Sequence, residues 1–426
     1  MWGQSVIDQS AFLRVRTHGK RAAWAVADQG INPIMQLAIT PLLLRMLGKD
    51  DFGVWVLGIT IIGMSQLVSC GAGIAATKHV SADLGAGARL EAAVATRAAL
   101  TIALIGGLSA SIATWVLAPT IVSALFSDMG QRGHLVPVIA ICGLAAAIQE
   151  VDNVYTGAMR GAERFDLCAK IEVPSRVVMS AITVVLAWRL GKVYQLFAVL
   201  TAMMAFKASL KATTVALLFG TASCYLPSIE PSPLRRVFGF GVWQWLQSTG
   251  TVLFSATDQL LIGSLLGAAS LARYSVCLQI AQYVHMLPSV MMQVIFPRIS
   301  ALGTSLVPQR GNEILRSVTM LSVGIALAVG LPIILFASPL LTLWIGADFA
   351  ADNHWLLVIL VLVHITLAFN IGAYFVLLGS GRSARSALIV LSAGVAQSGF
   401  AILAAPYGIL VVACNRFLYA LLTAFL

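Results

Sequence analysis

The residues in this chain that could do chemistry are charged side chains set inside long apolar runs. Lys207 lies about 12 residues from one end of the run 194–219, and Lys211 sits a helical turn nearer that end on the same face. At 1.5 Å per residue Lys207 is roughly 18 Å deep, too far for simple snorkelling, whereas Lys211 is within snorkelling reach. A charge at the centre of a membrane helix costs about 2.5–3.5 kcal/mol, so each one needs a purpose. Lys207 is therefore a candidate for facing a cavity, and Lys211 for the same or for snorkelling to the interface. Glu150 and Asp152 are carboxylates suited to carrying a proton or a cation. Two positions apart, they do not share a helix face, and either could instead partner Lys207 or Arg160. Asp28, beside Gln29, is a further carboxylate whose alternative is a helix-start role. His285 and Arg298 could face a ligand, or could be a hydrogen-bonded core histidine and an interfacial anchor.

Polar residues arranged on helix faces come next. Gln244, Ser248, Thr251, Ser255 and Asp258 recur at steps of four, three, four and three, which is one face of an α-helix ending on a carboxylate. Gln29, Asn32 and Gln36 form a matching stripe in the first apolar run, where Pro33 and Pro41 bend the helix as a gate or a fixed kink. Ser275, Gln279, Gln282, Ser289 and Gln293 form a third. Facing lipid, these amides would be unsatisfied, so they face protein or a wet cavity. Interhelical hydrogen bonding is the plain alternative; matching stripes in two places favour the cavity.

The elements that must position these residues follow from composition. Of 426 residues 59% are hydrophobic and 10% charged, with mean hydropathy +0.91. A soluble domain carries about 25% charged residues, so a soluble enzyme is excluded and a polytopic, all-α membrane protein is implied. Twelve spans fit, near 22–43, 52–76, 98–126, 135–158, 173–190, 194–219, 238–266, 274–296, 318–345, 354–380, 384–405 and 407–426. The fifth is the weakest, being short and carrying Pro174 and Arg176. With each residue near a span end counted on its nearer side, the side of the N-terminal tail and even-numbered connections holds 20 of the 27 Lys and Arg, and the other side holds six. That asymmetry places both termini in the cytoplasm. It also explains the net charge of +10 without nucleic acid. The basic N-terminus leads into a long span and not into a cleavable signal peptide. The six cysteines form no CxxC pair and imply neither disulfides nor a metal site. No phosphate-binding loop or hydrolase motif occurs, so neither ATP nor a catalytic cofactor is expected.

The chain also repeats itself. Leu47-Gly48-x3-Phe52-Gly53-x-Trp55 and Leu266-Gly267-x3-Leu271-Ala272-x-Tyr274 lie 219 residues apart. At the same offset His79-Val80-Ser81-Ala82 falls on Arg298-Ile299-Ser300-Ala301, and Gln66 on His285. Six spans per half is even, so the lobes share orientation about a pseudo-twofold along the membrane normal. The expected division is 1–219, a cytoplasmic linker at 220–237, and 238–426.

The turn at Leu47–Trp55, Arg160-Gly161-x2-Arg164-Phe165, the run Asp258–Gly267 and Phe296-Pro297-Arg298-Ile299-Ser300 together resemble a known family. It is the polysaccharide flippases of the multidrug/oligosaccharidyl-lipid/polysaccharide (MOP) exporter superfamily, closest to the O-antigen, Wzx-type branch. The resemblance implies two six-helix lobes that open alternately to either side. It implies transport, not catalysis, of polyprenyl-pyrophosphate-linked sugar repeat units, with H+ or Na+ as coupling ion. Membrane lipids and a glycan polymerase complex would be its other partners. In that picture Lys207, Lys211 or Arg298 meets the pyrophosphate. The amides Gln29, Asn32, Gln36, Gln244, Gln279 and Gln282, with Ser248, Thr251 and His285, meet sugar. Asp258, Glu150, Asp152 or Asp28 carries the ion.

A multidrug exporter of the same superfamily is the nearest rival, and deep Lys207 argues against cationic substrates. A peptidoglycan-precursor flippase resembles a fourteen-span pattern, against twelve here. A membrane-embedded glycan polymerase would need a long external loop, and each here has about ten residues or fewer.

Overall fold

The computed structural model describes residues 35–68, 70–125, 132–303, 308–379 and 383–424. Among these the chain is helical, with no strand. A helical stretch over 35–63 (α1) is followed by α2 (Ala72–Gly85), α3 (Arg89–Leu125), α4 (Arg132–Gly161), α5 (Phe165–Leu190) and α6 (Val193–Phe219). The second half holds α7 (Pro231–Leu266), α8 (Ala268–Gly303), α9 (Pro308–Leu335), α10 (Ala337–Trp344), α11 (Ala347–Gly379), α12 (Ser383–Ala404) and α13 (Ile409–Thr423). Seven of these, α3, α4, α5, α6, α9, α11 and α12, contain stretches long and apolar enough to cross a membrane. Exposed Trp115, Val116, Phe206 and Leu217 on their outer faces suit hydrocarbon.

The helices form two groups. In the first, α4 packs on α2, α3 and α6, and α5 on α6; in the second, α11 packs on α8, α9 and α13, and α12 on α7 and α13. The beginning of α7 crosses back onto α2 and α3. The repeat is visible in the backbone. Gly48 (φ +79°) divides α1, and Gly267 (φ +83°) separates α7 from α8 at the equivalent position. Both sit in a conformation that a Cβ would disfavour.

Three elements differ from the sequence reading. The second span, read as continuous over 52–76, is interrupted by a 3-10 turn at Met64–Leu67 and by Cys70 and Gly71 with φ of 46° and 68°. Helix α2 restarts only at Ala72. The ninth breaks at Phe336, because Pro339 has no N–H to continue α9 into α10. Helix α7 begins inside the stretch read as linker, with Pro231 at its first position, where a missing N–H costs nothing. The remaining connection is tied to α3, where Thr101 Oγ1 donates to the Ser228 carbonyl at 2.6 Å.

Candidate functional site

A cavity of about 540 Å³ lies between the two groups of helices, walled by α1, α5 and α6 on one side and α7 and α8 on the other. Gln36, Thr251, Gln279 and Gln282 line it, with Ser255, Ser275 and Gln259. Two bonds span it from half to half: Thr40 Oγ1 donates to Gln279 Oε1 at 2.7 Å, and Thr60 donates to Gln259. Arg176 of α5 is the charged residue of its lining, and no carboxylate belongs to that lining among the described residues.

The lysines are elsewhere. Three i, i+4 pairs converge inside the first half: Asp152 and Thr156 on α4, Glu172 and Arg176 on α5, and Lys207 and Lys211 on α6. Lys211 Nζ lies 2.7 Å from both Asp152 Oδ2 and Thr156 Oγ1 and also touches Glu172. Lys207 Nζ is 3.1 Å from Asp152 Oδ2 and 3.5 Å from Glu172 Oε1. Glu172 Oε2 in turn holds Arg176 Nε at 3.4 Å. Lys207 and Lys211 therefore do not line the cavity, contrary to the sequence reading. Two buried carboxylates satisfy them, as charges of low exposure require. Three cations against two carboxylates leave one positive charge, and Arg176, with 27% side-chain exposure, presents it to the cavity. Sequence reasoning passed over Glu172 and treated Arg176 as a defect of the fifth span; their opposite charges four residues apart were the available signal.

Asp258 also turns away from the cavity. It is fully buried in the second half, where Arg416 Nη1 (3.0 Å) and Tyr274 OH (2.8 Å) donate to Oδ2 and Gln397 Nε2 (2.6 Å) to Oδ1. The Arg416 guanidinium also stacks 4.0 Å over the Phe254 ring. At about 100° per residue, the cavity face of α7 centres between Ser255 and Gln259, and Asp258 lies roughly 90° round the helix. The sequence stripe drifted off the face it began on, and Ser248 is not among the lining residues. Arg416 was missed as a partner, though a lone arginine in an apolar span must have one. His285 is likewise outside the lining and bonds Asn370 of α11, whose Nδ2 donates to Thr423 Oγ1 at 2.8 Å.

Glu150 points the opposite way from Asp152. It is 1% exposed and accepts from Ser65 Oγ at 2.7 Å and from Asn153 Nδ2 at 3.3 Å. Gln29, Asn32 and Asp28 lie outside the described residues, and Gln244 and Arg298 are described by backbone alone.

This architecture, two helix groups about a central cavity, has counterparts. Residues 42–352 match the family described as polysaccharide biosynthesis protein. The chain belongs to that family. Solved structures with the same fold include an inward-facing multidrug resistance MATE transporter of the MOP superfamily, at 16% identity, TM-score 0.72, covering 94% of this chain and 96% of that one. An outward-facing MATE transporter gives 18% identity and TM-score 0.62, covering 95% and 92%. A MOP superfamily transporter from Pyrococcus furiosus, described as having a binding pocket of reverse polarity, gives 18% identity, TM-score 0.59 and the same coverages. No curated protein matches the chain. The chain is thus a multi-pass membrane protein of the polysaccharide biosynthesis family, with the fold of these MOP superfamily transporters.

Proposed function

We propose that this transporter flips polyprenyl-pyrophosphate-linked oligosaccharide repeat units from the cytoplasmic to the periplasmic leaflet of the bacterial inner membrane. It does so by alternating access coupled to H+ or Na+. The observation that carries this reading is the cavity lining: neutral amides and hydroxyls, one guanidinium, and no carboxylate among the described residues. A diphosphate finds a planar, permanently charged donor fork in Arg176. Sugar hydroxyls find Gln36, Thr251, Ser255, Gln259, Gln279 and Gln282. A cationic drug would meet a like charge and no counter-ion. Lys207 and Lys211 act behind Arg176, holding the Glu172 that holds it.

The two lobes are taken as 1–219 and 238–426, joined through 220–237, of which 231–237 is already the first part of α7, with both termini cytoplasmic as the Lys and Arg asymmetry requires. The test is the lipid fraction of a strain lacking this protein, measured alongside its sensitivity to cationic dyes. Build-up of polyprenyl-pyrophosphate-linked repeat units with surface polymer lost is expected. Normal lipid intermediates with dye hypersensitivity would replace this reading with that of a multidrug exporter.

A further inference from the structure

Five carboxylates are buried among the described residues: Asp83, Glu150, Asp152, Glu172 and Asp258. Four have a cation in contact. Arg236 holds Asp83, Lys207 and Lys211 hold Asp152 and Glu172, and Arg416 holds Asp258. Glu150 alone has only neutral partners, Ser65 and Asn153. The titratable group facing it is the Cys70 thiol, and α2, α3, α5 and α6 bring no charged side chain against it among the described residues, Glu172 and Arg176 of α5 being turned to Asp152's side. A carboxyl in such surroundings is stable only with a cation drawn from solution.

Its position ties that cation to movement. Ser65 lies in the 3-10 turn that interrupts the second span, two residues past Gly63 of the cavity wall. This turn also carries one of the contacts between the two halves. Trp245 Nε1 of α7 donates to the Leu67 carbonyl at 2.6 Å, and a Cβ on Gly241 of α7 would stand 2.2 Å from the Cys70 carbonyl oxygen. Glu150 thus braces from behind the backbone that meets α7 in front.

We propose, resting on the ion-coupled transport reading above, that Glu150 takes up and releases the coupling cation, H+ or Na+, and thereby makes and breaks the seal that Leu67 and Cys70 form with α7. Loaded, the carboxyl is content with Ser65 and Asn153. Once the cation leaves, the bare carboxylate needs further donors or water. Either shifts the turn and frees Leu67 and Cys70 from Trp245 and Gly241.

The test is carboxyl modification of the purified wild-type protein by dicyclohexylcarbodiimide, read residue by residue by mass spectrometry. Labelling is expected at Glu150 and not at the four ion-paired carboxylates. If the ion is a proton, it should fall about tenfold for each pH unit above its midpoint; if it is sodium, it should fall with added Na+ at fixed pH. Glu150→Gln keeps an acceptor for Ser65 but cannot ionise. It should abolish the ion dependence of alkylation at native Cys70, measured against exposed Cys414 in the same sample. No labelling of Glu150 at any pH, labelling indifferent to both pH and Na+, or the same ion dependence at Asp258 would overturn the proposal. Ion-sensitive labelling in a protein that moves no glycan lipid would keep it and remove the substrate reading. Indifferent labelling in a protein that does move glycan lipid would do the reverse.

Discussion

Removing the Arg176 guanidinium separates substrate binding from folding, because the two respond in opposite ways to the charge count. Arg176, Lys207 and Lys211 face Asp152 and Glu172, so this cluster sets three cations against two carboxylates, an excess of one. Arg176→Ala removes that excess and leaves two lysines against two carboxylates, so the melting temperature of the purified protein should barely move. Binding should move a great deal. A hydrogen bond to a charged group is worth about 1.5–3 kcal/mol, which at 1.4 kcal/mol per decade is roughly a 10- to 100-fold loss of affinity. The assay is titration of a fluorescent polyprenyl diphosphate into protein held in nanodiscs, with Arg176→Lys retaining charge but not the fork. Glu172→Gln is the contrasting change. It leaves three cations against one carboxylate and should cost about 3–5 kcal/mol of stability. Undiminished diphosphate binding by Arg176→Ala would refute the assignment of the anion site. A large loss of stability in that variant would refute the charge count.

Three further outcomes follow from the same geometry. Asp258→Ala strands Arg416 in a fully buried site and should cost about 3–5 kcal/mol, seen as a lowered melting temperature; Asp258→Leu with Arg416→Met together should recover most of it, which a double-mutant cycle would show. A Cβ at Gly53 would stand 2.1 Å from the Ala268 carbonyl oxygen. Gly53→Ala should therefore force α1 and the start of α8 apart at a cost of about 1–3 kcal/mol, raising the alkylation rate of cysteines placed beside that contact. Thr60→Val together with Thr40→Val removes both hydrogen bonds that cross the cavity, and should favour the open form in the same alkylation assay without lowering the melting temperature.

Much of the frame was legible in the residues. Apolar run lengths give membrane helices, and the 219-residue repeat anticipates two glycines of the same left-handed conformation at Gly48 and Gly267. Helical spacing placed polar side chains on common faces, and Gln36, Thr251, Gln279 and Gln282 are at the cavity wall. What spacing does not carry is which helix lies opposite. The depth of Lys207 was readable, but its partner Glu172 comes from another helix, so its burial in an ion-pair network was not. Asp258 looked available because Arg416, its counter-charge, is 158 residues away in sequence. The interruption at 64–68 and at Cys70 and Gly71 was hidden for a different reason. The segment Met64–Gly73 reads as continuous apolar span, and its break is stabilised by contacts with α4 and α7 that no local pattern announces.

The most direct test of glycan-lipid transport is reconstitution of the purified protein into liposomes carrying a fluorescent polyprenyl-pyrophosphate-linked oligosaccharide in one leaflet. With an imposed proton or sodium gradient, the protein should speed movement of the lipid to the other leaflet, where a membrane-impermeant quencher or glycosidase reaches it, and Arg176→Ala should not. Movement no faster than in empty liposomes, with cationic dye expelled under the same gradient, would contradict the account.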